Sequence, residues 1–132
     1  MLVVSACLAL FTCRMPFEGS AGSLAIPVRG PTARLSWDHS PRRLTHGGAD
    51  VAHFRLYYRE LGATEWRRLT DVPGGRPPTF LVDARSILGS RSSGRFEFGV
   101  ATVSVSGRES TIHASTDYDA TPPGGWHVVW ER

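Results

Sequence analysis

Chemistry in a protein begins with side chains that ligate, attack or carry protons, and in this sequence such residues are scattered rather than gathered. The five histidines, His39, His46, His53, His113 and His127, do not pair at i, i+2 or i+4 with another ligand type as a metal site requires. They read as loop and surface residues. Asp117 and Asp119 in STDYDA could act as a carboxylate pair or a weak calcium loop. That spacing is common by chance and the other oxygen ligands are not evident, so a solvated loop is the better reading. Serines are numerous, but no GxSxG elbow or other nucleophile motif occurs. With no acid–base or nucleophile constellation, the sequence points away from an enzyme and implies no cofactor or metal.

The basic residues narrow the field further. All 15 Lys+Arg positions are arginine, and Lys, Asn and Gln are absent, a bias that reads as GC-rich coding rather than chemistry. It removes the P-loop lysine, the Schiff-base lysine, the Asn of a Cys-His-Asn protease and any N-glycosylation acceptor. The formal net charge is only +3. Arg42-Arg43, Arg67-Arg68 and Arg85, Arg91 and Arg95 are dispersed pairs and loop residues, not a stripe interleaved with aromatics. No nucleic-acid partner is expected. A hydrophobic share of 41% with 20% charged residues, in 132 residues, describes one globular domain at most.

MLVVSACLALFTC is an apolar run that stops at Cys13, with Arg14 next. It is too short to span a bilayer, which takes about 20 residues, and it has the length of a signal-peptide h-region. Ending such a run on cysteine resembles a bacterial lipoprotein signal, whose cysteine is diacylated and becomes the first mature residue. LFTC departs from the preferred lipobox at Phe11 and Thr12; VSAC, ending at Cys7, fits better but lies close to Met1. The resemblance implies lipidation at Cys13, export to the cell envelope and membrane contact only through that lipid. A plain secretory signal and a structural N-terminal strand are the alternatives. Both cysteines lie inside this run, so the body has no disulfide and no thiolate metal site. Residues 14–23, RMPFEGSAGS, lack periodicity and read as a flexible tether.

The elements that must position any site follow from Leu24 onward, where period-2 patterns recur between turn signals. ARLSW alternates Leu35 and Trp37 with polar neighbours and breaks at DHSP. HFRLYYRE places Phe54, Leu56 and Tyr58 on one face and Arg55, Tyr57 and Arg59 on the other, a half-buried strand. LGATE turns the chain, WRRL offers a short return, VPGGRPP is a loop and TFLVDA a further strand. DARSILGS allows one helical turn, limited by Gly89. RFEFGVATVSVS sets Phe96, Phe98, Val100 and Thr102 against Glu97, Gly99, Ala101 and Val103; TIHAST is a last strand. About seven short strands predict an all-β antiparallel sandwich.

Three segments carry a family resemblance. Trp37 in LSWDHSP, the aromatic and aliphatic positions Phe54, Leu56, Tyr58 and Trp66 of FRLYYRELGATEW, and FEFGVATVSVSGRES together resemble a fibronectin type III domain. The resemblance implies that these are strand B, the C–C′ hairpin, and strand F with the FG turn, within an immunoglobulin-like sandwich. Phe96 stands at the family's tyrosine-corner position, so the hydroxyl that pins that corner is lost. ILGSRSSGRF is longer than the usual connection there. The segments then divide as 1–13 signal-like, 14–23 tether, 24–116 type III domain and 117–132 C-terminal extension.

That extension contains TPPGGWHVVW, with Trp126, Val128 and Trp130 on one face, too apolar for a plain tail. We expect an extra strand along a sheet edge, with His127 and Val129 on its less buried side. A linker into a further domain is the bland alternative. The functional alternative is a binding surface of Trp66, Tyr118, Trp126 and Trp130 stacking on sugar rings. The expected function is therefore a non-catalytic envelope module that contacts a protein or acts as a spacer, or else contacts a glycan; its partner is not named by the sequence.

Overall fold

The computed structural model describes residues 2–4, 22–37, 51–117 and 124–132. The strands are β1 (Leu2–Val4), β2 (Leu24–Arg29), β3 (Thr32–Trp37), β4 (Val51–Glu60), β5 (Arg67–Pro73), β6 (Thr79–Asp83), β7 (Ser93–Ser104), β8 (His113–Ala114) and β9 (Trp126–Glu131), with one short helix, α1 (Ala84–Leu88). They form two sheets, a three-stranded one in the order β1-β3-β6 and a larger one in the order β2-β9-β7-β4-β5, to which β8 adds by pairing β7. The all-β expectation holds, and the core lies between the sheets.

Alternation in the sequence is what builds that core. On β3 the inward positions Ala33, Leu35 and Trp37 are buried while Thr32 and Arg34 are exposed, the two-residue period of a strand with one wet face. β4 answers with Phe54 and Leu56, and β7 with Phe96, Phe98 and Val100. Trp37 meets Phe54 edge-on, ring centroids 5.4 Å apart at 69°, the geometry that sets a positive ring edge against a negative ring face. α1 is a single turn for a local reason. The Asp83 carboxylate accepts the N–H of Arg85 at 2.8 Å, and Gly89 at φ 61 stops the helix in a conformation that costs other residues strain. Ile87 and Leu88 then plug the end of the core.

Several expectations need correction. TIHAST contributes only the two residues of β8, and the long strand facing the start of β7 is β9 instead. β9 does not cover an edge: it lies inside the sheet, parallel to β2 (Leu24↔Trp126 to Arg29↔Glu131) and antiparallel to β7 (Ser93↔Glu131 to Phe96↔Val128). Its less buried side is the one that carries His127 and Val129, as expected: His127 is 6% exposed and Val129 half-buried, against 0–1% for Trp126, Val128 and Trp130. The return strand after WRRL runs on through Val72 to Pro73 before the turn. On β7 both faces are buried from Phe96 to Ala101.

The N-terminal run also acquires a structural role. Residues 2–4 form β1, antiparallel to β3 with Leu2↔Trp37, Val3↔Ser36 and Val4↔Leu35 in register.

Candidate functional site

The outer face of the larger sheet holds most of the paired charge among the described residues. Outward positions on β4 are His53, Arg55, Tyr57 and Arg59, and the β4–β7 register sets Arg55 beside Ala101, Tyr57 beside Gly99 and Arg59 beside Glu97. Two clusters result.

The first centres on Arg55. Its Nε donates to Asp71 Oδ1 at 3.1 Å and its Nη1 to Glu109 Oε2 at 3.0 Å. Arg68 donates to the other Asp71 oxygen, His53 Nε2 lies 3.4 Å from it, and the Tyr57 hydroxyl donates to Glu109. Partial burial alone would raise the Asp71 carboxyl, but hydrogen bonds from Arg55 and Arg68 outweigh it and hold it below its ordinary range. Burial first, then the bond to Glu109, pushes the Tyr57 phenol up. Arg55 is held more firmly protonated, chiefly by its bond to Asp71. None of these shifts poises a group to exchange protons near neutrality.

The second cluster is drier. Glu97 is 4% exposed, accepts from Arg59 and accepts from Thr116 Oγ1 at 3.1 Å. The Arg59 guanidinium lies 3.9 Å from the centroid of the Trp66 ring, a cation–π contact. Trp66 in turn leans over Gly99. A Cβ there would stand 2.5 Å from Ile112 Cγ2 and 3.2 Å from the Trp66 ring. Gly99 is glycine because its strand face is roofed.

Further along the same sheet, Ser23 Oγ and His127 Nδ1 are 2.6 Å apart. The other ring nitrogen, Nε2, is buried without a partner among the described residues. Burial, with Arg95 nearby, holds this imidazole below its ordinary value of 6.5 against the pull of Glu97.

Of the residues the sequence nominated, Cys13 and Tyr118 lie outside the described residues. The structure does not assemble the others into a platform. Trp126 and Trp130 are 1% and 0% exposed, and the Trp130 indole N–H donates to the Gly30 carbonyl at 2.8 Å. Their rings are core, so the sugar-stacking assignment is corrected for both; the apolar face that made them conspicuous is the reason they are buried. Trp66 is half-buried with Arg59 against its ring. Among the described residues, no group of three or more His, Cys, Asp or Glu side chains could hold a metal ion.

Sequence reasoning missed the two charge clusters. Their signal was the outward Arg-Tyr-Arg row of HFRLYYRE, but the carboxylates come from three other segments and only the sheet register unites them. Compared with models of known protein families and with curated proteins, the chain matches none.

Proposed function

We propose that this chain is a non-catalytic exported protein whose β-sandwich, of the fibronectin type III kind, mediates protein–protein contact or acts as a spacer in the cell envelope, held to the membrane by lipid at Cys13. The observation that carries the sandwich reading is the sheet order. β3 and β6 oppose β5-β4-β7, the arrangement that the resemblance implies for strands B and E against C′, C and F; the place beside F is taken by β9, from the C-terminal extension, rather than by TIHAST. The non-catalytic part rests on the two outer-face charge clusters, where Arg55, Arg59 and Arg68 each meet a carboxylate.

The anchor is tested by metabolic palmitate labelling. Wild type should be labelled and Cys13→Ser unlabelled; equal labelling overturns the anchor, and loss only in Cys7→Ser moves it. One observation favours a second reading, in which the N-terminus is retained: processing at Cys13 would remove β1, which pairs with β3. An intact mass that includes residue 1 selects that reading, and a mature chain starting at a lipidated Cys13 excludes it.

A further inference from the structure

A strand at the end of a sheet leaves a row of backbone donors and acceptors unpaired, and proteins guard such edges with charge, proline or irregularity. In the larger sheet both ends are guarded. β2 carries Pro27 and Arg29. β5 carries Arg67, Arg68 and Pro73, and its register with β4 slips between Leu56 and Tyr57. β6 ends the smaller sheet with Thr79-Phe80-Leu81-Val82-Asp83, free of proline and of basic residues. Leu81 at its centre is 53% exposed.

The hydrogen bonds show which groups of β6 face outward. Trp37 N–H donates to Pro78 O at 3.0 Å and Ala84 N–H to Pro31 O at 2.7 Å, and both pairs continue the β3–β6 register (Ser36↔Thr79 through Thr32↔Asp83). Bonded and non-bonded pairs alternate along an antiparallel ladder. The bonded pairs are therefore Trp37/Pro78, Leu35/Phe80, Ala33/Val82 and Pro31/Ala84. Thr79, Leu81 and Asp83 turn their backbone groups away from β3, toward the open edge. The Thr79 N–H is already used, donating to Pro77 O at 2.8 Å; the N–H and C=O of Leu81, the Asp83 N–H and the Thr79 C=O are the groups this edge presents without a backbone partner among the described residues.

We propose that β6 is a dimerisation edge, pairing antiparallel with β6 of a second copy about a twofold axis at Leu81. A twofold-related contact must be self-complementary, and this segment is. With Leu81 opposite Leu81 of the second copy, the two residues exchange both backbone bonds, and each Asp83 N–H faces a Thr79 carbonyl. Phe80 falls opposite Val82. The two exposed leucines cover each other, and the only charge, Asp83, meets threonine rather than a like charge. The two smaller sheets become one continuous sheet across the axis.

Sedimentation equilibrium of the full chain over a concentration series tests the pairing. Wild type should dimerise, and Leu81→Lys, which sets two ammonium groups face to face across the axis, should weaken the dimer about tenfold or more. A second measurement uses a Cys7→Ser/Cys13→Ser background. Leu81→Cys should oxidise to a covalent dimer, because bonded antiparallel pairs lie within disulfide reach. Val105→Cys, at a position 76% exposed but far from the axis in sequence and sheet, should not. A monomer at every concentration, a Leu81→Lys dimer as tight as wild type, or Leu81→Cys linking no faster than Val105→Cys overturns the proposal.

Discussion

Trp37 stands at the centre of the core, 4% exposed, and its indole N–H has no partner among the described residues. Trp37→Ala should cost about 3–5 kcal/mol in urea unfolding. Trp37→Phe should cost much less, since it keeps ring contact with Phe54 and removes the orphaned donor. At Gly99, the reverse problem applies. Gly99→Ala puts a methyl into the space of Ile112 and Trp66 and should cost about 1–3 kcal/mol by overpacking. His127 predicts a pH dependence. An imidazole held below its unfolded value of 6.5 binds protons less readily in the fold than in the open chain, so its share of stability is complete above about pH 6.5 and declines as pH falls through it. Urea midpoints should drop on acidification through that window, and His127→Gln should flatten the drop. A slope unchanged in that variant would assign it elsewhere. Asp71, held below its ordinary 3.8, contributes above that value and loses its share only as pH falls past it.

At the scale of elements, β9 is the most consequential. It supplies Trp126, Val128 and Trp130 to the core and separates β2 from β7, so a chain ending at Ala120 should lack a cooperative melt and a near-UV circular dichroism signal altogether. A fall of only a few degrees would mean that β2 can pair β7 directly. The alternation in WHVVW announced a strand with one apolar face, and in HFRLYYRE and ARLSW likewise; those inner faces were legible because period 2 and burial are the same pattern. The position of β9 was not. Which strand neighbours which depends on partners about a hundred residues apart, and a parallel β2–β9 pair leaves no local turn signal. The charge clusters were hidden for the same reason: Arg55, Asp71 and Glu109 come together through register alone.

For the whole molecule, the distribution of covalent and non-covalent restraint is lopsided. Both cysteines lie before residue 14, so thermal melting of the body should be the same with and without a reducing agent. Removing residues 1–21 takes β1 from the smaller sheet and leaves β3 with β6 as its described neighbour. Such a chain should keep its near-UV signal, because Leu35, Trp37 and Phe54 remain, but melt several degrees lower. Complete loss of that signal would make β1 essential to the core rather than an addition to it.

The parallel pairing of β2 with β9 also sets a schedule for synthesis. Leu24 meets Trp126 across the ladder, so β2 leaves the ribosome long before its partner exists. At roughly 5–20 residues per second the interval is about 5–20 s. Throughout it the edge of β2 that β9 will join stays unpaired, as does that of β7 from its own synthesis onward, and the sheet closes only after residue 131 has emerged. Translation rate, rather than the intrinsic speed of strand pairing, then governs how long the nascent chain displays its core.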